Sequence, residues 1–132
     1  MALTGKKDAI PLSIFENNLS PLECVAKYLH EEENLSHKQI GTILNRSPKT
    51  VWQAYKFSLK KISGKLKVKP SPYFIPYNLL GERKFSILES VVKHLVEDHN
   101  LKFSQIANLM NRDDRTIWTV YSRVKKKVKD ER

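Results

Sequence analysis

The sequence predicts an all-α protein of two tandem trihelical units, and three observations lead there. The chain repeats itself after 66 positions. Each copy opens with a paired Ser and Glu followed by apolar residues at helical spacing. The net charge of +10 is also distributed twice in the same order, acid first and base after.

The repeat is the strongest of the three. It lays SPLECVAKYLHEEENLSHKQIGTILNRSPKTVWQAYKFSLKK over SILESVVKHLVEDHNLKFSQIANLMNRDDRTIWTVYSRVKKK, with about 18 of 42 pairs identical. With one residue of slippage, Ile10-Pro11 also meets Ile75-Pro76. The units are therefore 10–62 and 75–128, joined by a basic linker over 63–74 that carries Gly64, Pro70 and Pro72.

Within each unit the first helix starts at a capping box, Ser20 with Glu23 and Ser86 with Glu89, and Pro21 suits the first helical position. Leu22, Val25, Ala26 and Leu29, like Leu88, Val91, Val92 and Leu95, form one apolar face. That face leaves Cys24 on the opposite side, where it is expected to be exposed. The second helix carries Ile40, Ile43 and Leu44, or Ile106, Leu109 and Met110. Ser36 with Gln39 caps it well in the first unit, and Lys102 caps it poorly in the second. The third helix starts after Ser47 or Asp113 and buries Val51, Ala54 and Tyr55, or Ile117, Val120, Tyr121 and Val124. It ends in lysines, which suit the negative helix terminus.

The second and third helices meet the demands of a tight, near-perpendicular crossing. Gly41 and Ala107 supply the small residue where two helices touch. Four positions on, Asn45 and Asn111 tolerate the left-handed backbone of the turn. Apolar Val51 and Ala54, or Ile117 and Val120, then follow at the required spacing. At these residues LSHKQIGTILNRSPKTVWQAY and LKFSQIANLMNRDDRTIWTVY resemble the helix-turn-helix of the fourth region of bacterial primary sigma factors and its response-regulator relatives. Arg46 and Arg112 depart from that pattern, which has an aliphatic residue just after the turn. The resemblance implies two tandem trihelical helix-turn-helix domains whose third helices enter the major groove of DNA.

Candidate DNA contacts are then the residues off the apolar stripe and the basic helix ends. In the first unit these are Arg46, Lys49, Thr50, Trp52, Gln53, Lys56, Lys60 and Lys61. In the second they are Arg112, Arg115, Thr116, Trp118, Thr119, Ser122, Arg123 and Lys126. Gln53 has the donor–acceptor pair that matches adenine, and Arg115 the fork that matches guanine. Trp52 and Trp118 could lie on the sugar-phosphate backbone. A large aromatic at helical spacing is more often core, so packing against the Ile-Pro segment is the expectation for both. Residues 36–69 hold nine bases and no acid, a segment suited to phosphate, whereas Asp113 and Asp114 would repel it.

Other chemistries find little support. The four histidines show no metal spacing and are expected at the surface, and a single cysteine forms no internal disulfide. No Gly-rich phosphate loop, Ser/His/Asp order or isolated acid pair is present, so neither an enzyme nor a cofactor is expected. Absence of a signal-peptide core near the N-terminus and of a long apolar run points to the cytoplasm, at the nucleoid of a prokaryote. The expected partner is double-stranded DNA, for a transcription regulator or a chromatin-organising protein, with the chain acting as a pseudo-dimeric monomer or as a homodimer. The competing readings are a module that docks on the transcription machinery and an RNA-binding protein.

Overall fold

Ile10 and Ile75 face each other across an antiparallel pair of three-residue strands, β1 (Ala9–Pro11) and β2 (Phe74–Pro76). This pairing organises the whole molecule. The computed structural model describes residues 8–130; residues 1–7, where no signal-peptide core was found, lie outside the described residues. Apart from the strands and a 3-10 turn at Leu12–Glu16, regular structure among the described residues is helical: α1 (Pro21–Glu31), α2 (His37–Leu44), α3 (Pro48–Lys61), α4 (Tyr77–Leu80), α5 (Ile87–Glu97), α6 (Phe103–Met110) and α7 (Asp114–Lys129).

The helix boundaries follow the sequence signals. Ser20, Ser36 and Ser86 each form a full capping box, and Pro21 and Pro48 occupy first-turn positions. Lys102 offers no acceptor, so α6 keeps only the reverse half: Gln105 Oε1 accepts from the Lys102 N–H at 2.8 Å. Asn45 and Asn111 adopt φ of 56° and 54°, ending α2 and α6 in the left-handed region. The next N–H then turns back, from Arg46 to the Gly41 carbonyl and from Arg112 to that of Ala107. A β-branched residue resists this backbone. Asn45→Val and Asn111→Val should each cost about 1–3 kcal/mol, read as a loss in denaturant midpoint; an unchanged midpoint would remove the strain argument.

The segment ahead of each three-helix unit crosses to the other unit. The 3-10 turn Leu12–Glu16 packs on α6, and α4 packs on α2. The two turn arginines complete the exchange. Arg112 Nη1 donates to the Phe15 carbonyl at 2.9 Å, and Arg46 Nη1 to the Leu80 carbonyl at 3.3 Å. Gly81 lets α4 approach closely, because a Cβ there would lie 2.6 Å from the Ile43 carbonyl oxygen. The basic linker is held rather than loose: Ser13 Oγ donates to the Lys69 carbonyl at 2.7 Å, Asn17 bonds both backbone groups of Lys67, and Leu66 is buried.

One apolar core therefore runs through both units, from Ile10, Phe15, Val25, Leu29, Ile40 and Val51 to Ile75, Leu95, Ile106 and Ile117. This continuity overturns three expectations. Cys24 is fully buried, since the other unit covers the side of α1 that one amphipathic face would leave to solvent; burial pushes its thiol up to about 12. Lys27 is buried beside it, its stem in the core and its ammonium 2.9 Å from Glu31. The histidines are not simply superficial. His30 and His37 stack half-buried with ring centroids 4.7 Å apart, and Tyr55 stands edge-on to His30. Burial and then the His30 charge hold His37 below its usual pKa. His94 is also half-buried, bonded to Asp98 at 2.6 Å, and only His99 is exposed. The third correction concerns the tryptophans. Trp52 and Trp118 do not pack on the Ile-Pro segments, which pair with each other instead, and both rings face solvent.

Candidate nucleic-acid interface

On α3 the stripe Val51, Ala54 and Ser58 is buried, and it fixes which way every other side chain points. Lys49, Thr50, Trp52, Gln53, Lys56 and Lys60 consequently share the outward half of the helix, all exposed. Trp52 is 45% exposed, and the Lys56 ammonium lies 4.3 Å from its ring centroid. That contact keeps a flat aromatic surface and a positive charge together. Thr50 Oγ1 is hydrogen-bonded to Ser47 Oγ at 2.9 Å, at the base of the helix.

α7 repeats this arrangement with different chemistry. Arg115, Thr116, Trp118, Arg123 and Lys126 are exposed, Trp118 by 59%. Thr119 and Ser122 are only half exposed, and the Ser122 hydroxyl donates to the Trp118 carbonyl of its own helix. Asp113 and Asp114 stand exposed at the start, Asp113 accepting from the Arg115 N–H at 3.2 Å.

Three expected contact residues sit elsewhere. Arg46 and Arg112 are half-buried and turned inward, where they bond the carbonyls of Leu44 and Leu80, or of Met110 and Phe15. An arginine fits at this position because its Nη1 meets one carbonyl of its own turn and one that the exchanged segment brings. Lys61 is engaged with Glu23, 2.9 Å away, and its counterpart Lys127 with Glu89.

The acids of α1 and α5 are drawn to the inner side of the third helices in the same paired fashion. Tyr55 donates to Glu31 at 2.8 Å and Tyr121 to Glu97 at 3.0 Å. Burial, then this bond to a carboxylate, lifts the Tyr55 phenol to about 12. Glu97 also meets Lys93 at 3.0 Å. The result is a division, clear in the first unit and broken in the second by Asp113 and Asp114: carboxylates paired behind the third helix, cations and a tryptophan in front. Sequence reasoning overlooked Phe57 and Leu59, both exposed on α3, and also Lys38 and Arg83 beside the first turn. Arg83 gave no signal, because it belongs to the second unit by sequence and reaches the first through the docking of α4.

No helix among the described residues is long and apolar enough to cross a membrane. Comparison with protein-family models, with curated proteins and with solved structures returns no match.

Proposed function

We propose that this chain is a double-stranded DNA-binding protein that presents α3 and α7 as recognition helices of two helix-turn-helix units. It would act as a transcription regulator or as an organiser of chromatin. The observation that carries this reading is the matched outward face: Lys49 and Arg115, Trp52 and Trp118, Lys60 and Lys126 are exposed at equivalent positions of two helices. An exposed tryptophan with a lysine ammonium over its ring offers a flat apolar surface and a positive charge together. It suits a polyanion with flat, apolar sugar and base edges. The left-handed asparagine turns support the resemblance to sigma-factor and response-regulator domains.

Duplex affinity measured against salt tests the reading. With six or more phosphates neutralised, log K should fall linearly with log[salt] at a slope of about −5 or steeper. A flat response removes DNA as the partner. Comparing selected with random duplexes then separates the two roles, because a regulator shows a large specificity ratio and an architectural protein a small one. A second reading, docking on a protein of the transcription machinery, draws on Phe57 and Leu59, which are 50% and 41% exposed. Their counterparts in the second unit are Arg123 and Lys125.

A further inference from the structure

A basic cleft opens at the α2–α3 turn, where the first unit meets the loop that follows α4. Its walls include Lys38, Thr42, Arg46, Ser47 and Arg83, and no carboxylate. The two arginines grip neighbouring carbonyls of the turn: Arg46 Nη1 donates to Leu44 at 2.7 Å, and Arg83 Nη1 to Asn45 at 2.9 Å. Among the described residues each guanidinium bonds only through Nη1. A guanidinium carries five N–H donors, so each fork keeps donors in reserve. The two charges are close enough to oppose one another: after burial, the Arg83 charge is what holds the Arg46 pKa below its usual value. Converging cations with no acid between them form a receptor for a tetrahedral oxyanion.

The second unit does not carry the same charges at the equivalent place. Lys38, Ser47 and Pro48 correspond there to Ser104, Asp113 and Asp114, and the segment leading into α1 has Asn17 and Asn18 where Arg83 precedes α5. A feature of one copy alone is not demanded by the repeated fold, since the other copy folds without it. The cleft also adjoins Lys49, the first cation of the outward α3 face.

We infer that the cleft seats one phosphate of the DNA backbone, held by Lys38 and Arg83, as a clamp that registers the first unit on the duplex. This rests on the DNA-binding reading above. The same chemistry could serve free phosphate, and the test separates the two sources. Lys38→Gln and Lys38→Gln/Arg83→Gln are compared with wild type for duplex affinity across salt concentrations. In parallel, inorganic phosphate is titrated while the amide resonances of Thr42, Ser47 and Lys49 are followed. Lys38 is exposed, so the single variant keeps the question open to a result even if the double variant folds poorly. The expected result is a salt slope shallower by about 1 for each lost contact, with an equal loss on every duplex and no saturable response to inorganic phosphate. Saturable phosphate binding with an unchanged slope would overturn the backbone assignment in favour of a free anion. An unchanged slope without phosphate binding would overturn the cleft and leave the DNA reading standing, provided wild type binds duplex. Failure of wild type to bind any duplex would end both.

Discussion

Ile75→Ala is expected to destabilise both three-helix units together, by about 2–5 kcal/mol. Ile75 is fully buried, and its strand partner is Ile10, itself fully buried and the residue that leads into the first unit. Deleting three carbons there removes transfer free energy and opens a void at the point where both exchanged segments begin. Each unit has its own reporter, because the chain has two tryptophans, Trp52 and Trp118. In Trp52→Phe and Trp118→Phe backgrounds, fluorescence then follows one unit at a time during denaturation. The substitution should lower the midpoints of both reporters equally, since one core spans the molecule. A shift confined to Trp118 would mean that the units unfold separately and that the exchanged segments contribute little.

The second large effect concerns binding. Lys49→Ala/Gln53→Ala should weaken duplex binding by about 1–3 kcal/mol, and by more than Arg115→Ala/Thr119→Ala. Lys49 and Gln53 are both exposed on a helix without a single acid. Thr119 is half covered, and Arg115 follows the exposed carboxylates of Asp113 and Asp114. Their repulsion of phosphate offsets part of the attraction, most visibly at low salt. Both double variants should keep wild-type helicity, because none of the four side chains belongs to the buried stripes. Equal or reversed losses in a titration at two salt concentrations would place the main recognition surface on α7.

Much of this architecture is legible in the residues because the signals are local. A capping box, a left-handed asparagine and an apolar residue every third or fourth position each act within one turn of chain, and each appears twice. What stayed hidden depends on the partner unit. Three-residue strands ending in Pro11 and Pro76 have no periodicity to detect, and only their mutual pairing makes them strands. Cys24 reads as exposed from one helical wheel, yet a second surface covers it, and a wheel drawn for one packed face cannot include that surface. The same cause helped draw Arg46 and Arg112 away from the expected contact face: besides a carbonyl of its own turn, each bonds one, Leu80 or Phe15, that belongs to the other unit by sequence. The tryptophans illustrate the opposite error. Size alone suggested core for residues whose position, one step past Val51 and Ile117, turns them outward.

The antiparallel register of β1 and β2 has a consequence for any target site. Ile10 pairs with its own counterpart, Ile75, and the exchanged helical segments and turn arginines contact the opposite unit reciprocally, which relates the halves by an approximate dyad rather than by a translation. Two copies written head to tail in the gene would suggest a target written head to tail as well. A dyad instead sets the two recognition helices in opposite senses along the duplex, so under the DNA-binding reading the site is an inverted repeat, a palindrome read by one chain. The symmetry is imperfect on the outward faces that this reading turns toward bases, with Gln53 answered by Thr119 and Lys56 by Ser122. The palindrome is therefore expected to be degenerate, its two arms related in position but unequal in sequence.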